Sequence, residues 1–386
     1  MKRCLNFISK KMSDTITRKD PWYRITNPDE VYSPALLIWP DRIENNIRKM
    51  IGIAGDPGML RPHVKTHKMP EIVRLQMKYG ITRFKCATIA EAEMVAACGA
   101  GDVLLAYQPA GPNISRYFEL KRRFPGTDIS CIADCEDIIR ELSATAVKNK
   151  NATAVFLDID IGMNRTGIAP GKAALRLYKM ICELPGISDG GLHVYDGHIH
   201  EKELSLRKKI CNEAYKPVTS MIEEISRSID HPVRVVAGGT PTFPIHASRT
   251  GVETSPGTLL LWDYGYSTSF TDMDFLHSAV LFTRVISKPS EDLICIDLGH
   301  KAVASEMPQP RIFLPGIENY EIISHNEEHM VIRTREAGRL KVGSVLYGIP
   351  YHICPTVDRY DKVSVVRGGK VTGEWKVEAR RRQITV

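Results

Sequence analysis

The chain has 386 residues, 43% hydrophobic and 25% charged, with 52 Lys+Arg against 45 Asp+Glu. That length can bury the core of one large domain and a smaller companion, and the proportions exclude a disordered or fibrous polymer. The formal charge of +7 is spread along the chain rather than gathered in runs, so nucleic acid is not an expected partner and a local basic pocket for a small anion is.

Nine cysteines without a dense framework read as reduced thiols of an intracellular protein, and the expected location is cytoplasmic. Cys131 and Cys135, four apart, are expected to pack at a helix edge rather than to bind metal. No apolar run reaches the roughly 18 residues of a membrane span, so no membrane is expected. The opening "MKRCLNFISKKMSD" lacks the apolar stretch of a signal peptide. Residues 1–20 read as a flexible extension, and 1–11 as a disordered segment or one ahead of a start at Met12.

Eight short β-rich runs follow: "RPHVKT" 61–66, "RFKCAT" 83–88, "DVLLAY" 102–107, "DISCIAD" 128–134, "AVFLDIDI" 154–161, "GLHVYDGH" 191–198, "VRVVAGGT" 233–240 and "GTLLLWDY" 257–264. Between them "MPEIVRLQMKYG", "IAEAEMVAACGAG" and "CEDIIRELSATAVKNK" are apolar at i, i+3 and i+4, as helices packed on a parallel sheet would be. The alternation predicts an α/β fold whose first domain, over 30–268, is a (β/α)8 TIM barrel. From about residue 270, "AVLFTRVISKP", "DLICIDLG", "EHMVIRT" and "KVSVVRGGKVTGEWKVEA" alternate apolar and polar residues between turns. They predict a second, mainly antiparallel β domain over 269–386, joined by residues near 21–35.

A barrel of this kind places its active site at the C-terminal mouths of the strands. Lys65 lies at the first, inside the basic stretch "RPHVKTHK". There it reads either as part of a solvated basic turn or as a buried amine, its pKa depressed by neighbouring cations, that attacks an aldehyde. Arg165 follows the fifth strand, His198 and His200 follow the sixth, and Gly238, Gly239 and Thr240 close the seventh, where backbone N–H groups can cradle a phosphate. An amine facing a phosphate cradle suits pyridoxal 5′-phosphate. The alternative for Arg165 is an ion pair with Asp158 or Asp160.

Taken together, "SPALLI", "RPHVKTHK", "DIDIGMNRTG", "YDGHIH", "VVAGGTPT" and "YHICPT" resemble the D-threonine aldolase and D-serine dehydratase family over about residues 30 to 360. These are fold-type III pyridoxal-phosphate enzymes related to alanine racemase through the N-terminal barrel. The resemblance implies that Lys65 carries the cofactor as a Schiff base and moves the substrate Cα proton. It further implies that Arg165 lies beside the pyridine nitrogen, that Tyr195 contacts the cofactor, and that Gly238, Gly239 and Thr240 hold its phosphate. A homodimer with shared active sites is implied by the same family.

In "IPYHICPT", His352 and Cys354 sit two apart, and alternation along an extended segment would put both on one face, as two ligands of one ion require. Imidazole with thiolate suits zinc rather than manganese, the alternative being a packed cysteine beside a surface histidine. A metal near the substrate's β-carbon binds a hydroxyl, so the expected substrate is a D-β-hydroxy amino acid. Loss of the hydroxyl proton to His198 or His200 splits Cα from Cβ and yields glycine plus an aldehyde, the preferred expectation. Loss of hydroxide would instead give a keto acid and ammonia. A racemase or a non-catalytic cofactor carrier are the remaining readings, disfavoured by the absence of a clear second-base tyrosine motif and by the roughly 120 residues after the barrel.

Overall fold

A computed structural model describes residues 21–386; the extension expected over 1–20, with the segment 1–11, lies outside the described residues. The described chain forms two compact units, one of 21–42, 261–266 and 277–375, the other of 43–260, 267–276 and 376–386.

Strand β1 (Ala35–Ile38) belongs to the first unit, and the parallel strands of the second unit come next in the chain. They are β2 (Arg83–Cys86), β3 (Asp102–Leu105), β4 (Asp128–Ala133), β5 (Thr153–Asp160), β6 (Ile187–Tyr195), β7 (Val235–Ala237) and β8 (Val252–Thr254). They lie side by side in chain order. The seven-stranded sheet curls until residues 60–63 close the gap: Leu60 bridges Thr254, and His63 bridges Lys85. Arg61 N donates to Thr254 O at 2.8 Å, His63 N to Pro256 O at 2.9 Å and Lys85 N to Pro62 O at 2.9 Å. Leu104, Ile132, Phe156 and Val236 pack together in the core.

Two of the eight expected strands differ. The stretch 61–66 supplies bridges rather than a regular strand, because Pro62 has no N–H to give and Val64–Thr66 winds into a 3-10 turn. The eighth strand is Val252–Thr254, while Thr258–Leu260 of the expected run 257–264 is a 3-10 turn; an unbroken apolar run does not by itself distinguish a strand from a buried turn. The three helical patterns appear at Pro70–Lys78, Ile89–Ala97 and Glu136–Asn149. Thr88 caps the second of these by accepting from Glu91 N at 3.1 Å. Cys131 is buried inside β4 and Cys135 precedes the helix that starts at Glu136, so the two do not share a helix edge.

The first unit's sheet adds β9 (Ala279–Ser287), β10 (Leu293–Ile296), β11 (Ile312–Phe313), β12 (Tyr320–His325), β13 (Met330–Thr334), β14 (Val345–Pro350), β15 (Lys362–Arg367) and β16 (Lys370–Lys376). The main path runs β12-β13-β10-β9-β1-β15-β16, with β14 also on β9 and β11 on β14. In this sheet β1 pairs in parallel with β15, and the pairs β1–β9, β9–β10, β10–β13, β12–β13, β9–β14 and β11–β14 are antiparallel. Tyr23, Leu37, Trp39, Val280, Phe282, Tyr347 and Val366 fill its core. No helix among the described residues is long and apolar enough to cross a membrane.

Candidate active site

Two of the cations in "RPHVKTHK", Arg61 and Lys68, have carboxylate partners. Arg61 is fully buried and held by Asp102 at 2.6 and 2.7 Å and by Glu253 at 2.7 Å. Lys68 pairs with Glu91 at 2.7 Å. Burial pushes His67 down to about 3. Burial, reinforced by Lys65 and Lys85, holds His63 well below the usual imidazole range. His63 Nδ1 accepts from Lys65 N at 3.2 Å and caps the turn that carries Lys65. The half-buried Lys65 ammonium has no ion pair among the described residues.

Tyr195, at the end of β6, sits among three cations: Lys65 Nζ is 5.8 Å, Lys85 Nζ 5.5 Å and Arg165 Cζ 5.0 Å from its ring centroid. Each contact is a cation against a π-face. Arg165 makes no pair with Asp158 or Asp160. Asp158 Oδ1 lies 2.7 Å from His193 Nδ1, and Asp160 accepts from Gly162 N and Asn164 N. The deeply buried amine is therefore not Lys65 but Lys85, 2% exposed, which burial and then Lys65 push down to about 7. Its Nζ lies 3.4 Å from His193 Nε2, completing a buried row Asp158–His193–Lys85.

At the end of β7, Gly238 has φ +75°, and a Cβ there would come within 2.7 Å of His246 Cδ2, so the turn needs glycine. Its N–H is spent on Val194 O at 2.9 Å and is not a phosphate donor as expected, because it extends the β6–β7 ladder. Gly239 N donates weakly to Thr242 Oγ1 at 3.3 Å, and a Cβ on Gly239 would lie 3.1 Å from Tyr195 Cε2. Thr240 Oγ1 accepts from Gly257 N and Thr258 N, each at 3.2 Å, which ties the loops after β7 and β8 and leaves its hydroxyl proton to give. Ser255, 3% exposed, has a hydroxyl with no partner, and its N donates to Ala237 O at 3.3 Å. The misplaced eighth strand hid this residue, which directly follows β8. An orphaned buried hydroxyl, a turn with no room for a Cβ and cations lacking counter-charge fit an anionic, phosphate-bearing cofactor.

Of the two histidines after β6, His198 is half-buried with a partnerless Nδ1, and its Nε2 would lie 3.0 Å from a Cβ on Gly162. His200 is exposed.

Asp196, Cys211 and His246 are all buried, with ligand atoms within 4.8 Å of one another, a geometry that could hold a metal ion. Their hydrogen bonds already close on themselves. Arg249 Nε donates to His246 Nδ1 at 3.3 Å, His246 Nε2 lies 2.8 Å from Asp196 Oδ2, and Thr242 Oγ1 donates to Asp196 Oδ1 at 2.8 Å. The group braces the turn at Gly239.

In the first unit, His352 immediately precedes the helix Ile353–Val357, so His352 and Cys354 do not share an extended segment. Buried Asp263 accepts from Ile353 N at 3.0 Å and starts that turn; burial pushes its carboxyl up to about 6. The two side chains still meet in a hydrogen bond. Burial opposes a charge on His352, but Cys354, Asp263 and Glu306 outweigh it and push the imidazole up to about 9. Glu306 Oε1 is 2.6 Å from His352 Nδ1, which leaves Nε2 and the sulfur as the donor pair, a set that fits zinc.

The family described as "Alanine racemase, N-terminal domain" matches residues 38–265, and "Putative serine dehydratase domain" matches 278–366. The chain is 30% identical to a D-threonine aldolase of Arthrobacter sp over 361 residues, 91% of this chain and 93% of that one. It is 29% identical to a 3-hydroxy-D-aspartate aldolase of Paracoccus denitrificans over 364 residues, 91% of this chain and 92% of that one. The crystal structure of D-threonine aldolase from Filomicrobium marinum matches with a TM-score of 0.82 at 28% identity, covering 92% of this chain and 97% of the other.

Proposed function

Because the chain belongs to the alanine racemase N-terminal-domain family and is a lyase of its D-threonine aldolase and D-serine dehydratase branch, we propose that it cleaves D-β-hydroxy amino acids to glycine and an aldehyde. The reaction in this reading depends on pyridoxal phosphate and a divalent metal. The observation that carries it is the Lys65 amine, unpaired and 5.8 Å from the Tyr195 ring centroid, a ring that two further cations also approach.

In this reading Lys65 would bind the cofactor covalently, and its released amine moves the proton at Cα: in cleavage it gives Cα the proton that replaces the departing β-carbon, whereas dehydration would have it take the Cα proton. Pyridoxal phosphate supplies the electron sink for the pair left when a bond to Cα breaks. The hydroxyls of Thr240 and Ser255, with the Gly239 turn, hold the phosphate. Tyr195 supports the ring, and Arg165 keeps a positive charge at its nitrogen. His198, whose Nδ1 has no partner, takes the β-hydroxyl proton. Exposed His200 is the weaker candidate for that step. His352 and Cys354 hold the metal, zinc by its donor set, which supplies a Lewis acid for the hydroxyl. The barrel is taken as 30–268, with 269–386 and 21–35 as the metal-carrying domain. A homodimer with shared sites follows from family resemblance. A cytoplasmic location is supported by cysteines that are all free among the described residues.

The second reading is dehydration of D-serine or D-threonine, favoured by the thiolate donor of Cys354 and by the dehydratase domain over 278–366. Incubation with D-threonine, assaying acetaldehyde and 2-oxobutanoate in parallel, decides. Acetaldehyde with glycine supports cleavage, 2-oxobutanoate supports dehydration, and neither product overturns both.

A further inference from the structure

Pyridoxal phosphate offers four polar handles: the aldehyde, the phosphate, the ring nitrogen and the phenolic oxygen on ring carbon 3. The reading above, on which the following rests, gives the first three to Lys65, the Gly239 turn with Thr240 and Ser255, and Arg165. The fourth has no partner. Carbon 3 adjoins the carbon that bears the aldehyde, so the missing donor must stand beside Lys65.

Lys85 stands there. His63 and Lys85 face each other across a parallel bridge, and Lys65 stands two residues beyond His63, in the 3-10 turn that His63 caps. Both amines reach the Tyr195 ring, at 5.8 and 5.5 Å. The groups whose charge bears on Lys85 are Lys65, Asp196, Asp158 and Arg61, with His193 in contact. Asp158 is engaged by His193 at 2.7 Å and Asp196 by Thr242 and His246, each at 2.8 Å. Arg61 is held by Asp102 and Glu253. The His193 contact at 3.4 Å accounts for one N–H of Lys85, leaving donor capacity unspent on a residue 2% exposed. Burial of a donor without full satisfaction calls for a partner. We infer that Lys85 is a cofactor-binding residue that donates a hydrogen bond to the 3-oxygen of pyridoxal phosphate, with His193 and Asp158 as positioning residues that fix the amine.

The test compares binding of pyridoxal 5′-phosphate with that of 3-deoxypyridoxal 5′-phosphate, which lacks only that oxygen, by spectroscopic titration of the cofactor-stripped full chain. The unaltered protein is expected to prefer the natural cofactor by roughly tenfold or more, as for a hydrogen bond to a charged group. Lys85→Met should erase the preference by weakening the natural cofactor alone. Equal affinity for both compounds in the unaltered protein, or an equal loss for both in K85M, overturns the assignment. If circular dichroism shows K85M unfolded, Lys85→Gln decides: a neutral donor should shrink the preference, and an unchanged preference overturns the inference. Binding of neither compound by the unaltered protein overturns instead the cofactor reading itself.

Discussion

Arg61 grips Asp102 with two parallel hydrogen bonds, Nη1 to Oδ1 at 2.6 Å and Nη2 to Oδ2 at 2.7 Å, while its Nε holds Glu253 at 2.7 Å. Arg83 and Arg234 also reach Glu253, and Arg234 reaches Asp102. The network ties the closing segment to the first residue of β3 and the middle of β8. Breaking a buried pair from one side leaves an uncompensated charge and costs about 3–5 kcal/mol; the remaining arginines should hold the loss to the lower end. Arg61→Met is therefore expected to lower unfolding stability by about 3 kcal/mol in urea titrations while Lys65 still accepts cofactor. A change below about 0.5 kcal/mol would show that the network is dispensable.

The phosphate cradle yields a separate expectation. Ser255→Ala removes a buried hydroxyl that has no protein partner, so the fold should lose nothing while cofactor affinity falls about tenfold through one lost charge-assisted bond. Gly239→Val should weaken the cofactor more, because its Cβ would press to 3.1 Å from Tyr195. Unaltered cofactor dissociation constants in both variants would remove the cradle from this turn.

The helices were legible in the sequence: stretches such as Glu136–Asn149 announce themselves by apolar spacing. Strand ends and resemblance singled out Lys65, Tyr195, Arg165 and the glycine turn, and the structure brings Lys65 and Arg165 to the Tyr195 ring. What escaped has physical causes. Lys85 stands between Phe84 and Cys86 in "RFKC", where alternation reads a lysine as outward and solvated. In the barrel all three are buried, and the polar row of Asp158, His193 and Lys85 occupies interior positions that hydrophobic patterning assigns to solvent. Ser255 escaped because β8 is three residues long, too short for a period to register.

Borohydride reduction of the protein loaded with pyridoxal phosphate, followed by peptide mapping, should place the label on Lys65. Lys68 is tied to Glu91 at 2.7 Å and Lys301 is exposed beside Glu327, so neither amine should react. Label on either residue, or on Lys85, would remove Lys65 from its role.

The pH dependence of stability should carry the signature of Lys85. Its folded pKa, lowered to about 7 from the model-peptide value of 10.5, means that between those limits the unfolded chain binds the extra proton. The penalty of burying this amine is full below about pH 7 and fades as pH rises toward 10. Relative to Lys85→Met, the cofactor-free protein should therefore gain stability from pH 7 to 9, by up to about 1.4 kcal/mol per pH unit. Parallel stability curves in paired urea titrations would mean that Lys85 keeps its proton when folded.

The last expectation concerns the metal and rests on the 2.6 Å contact between Glu306 and His352. A carboxylate on Nδ1 fixes the ring so that Nε2 presents its lone pair, and loss of such a partner lowers metal affinity by about 10- to 100-fold. Glu306→Gln should weaken zinc by that factor in competition with a chromogenic chelator, and Cys354→Ala should weaken it further because a ligand itself is gone. Cys354→Asp should shift preference toward manganese, a hard oxygen having replaced a soft sulfur. In all three variants the visible absorbance of the covalently bound cofactor should stay as it is, since the proposed reading gives its binding to Lys65 and the Gly239 turn. Chelation should likewise abolish cleavage of D-threonine while leaving that absorbance and the exchange of the Cα proton intact, because these belong to the barrel's residues. A metal-stripped protein that cleaves at the full rate would remove His352 and Cys354 from the reaction.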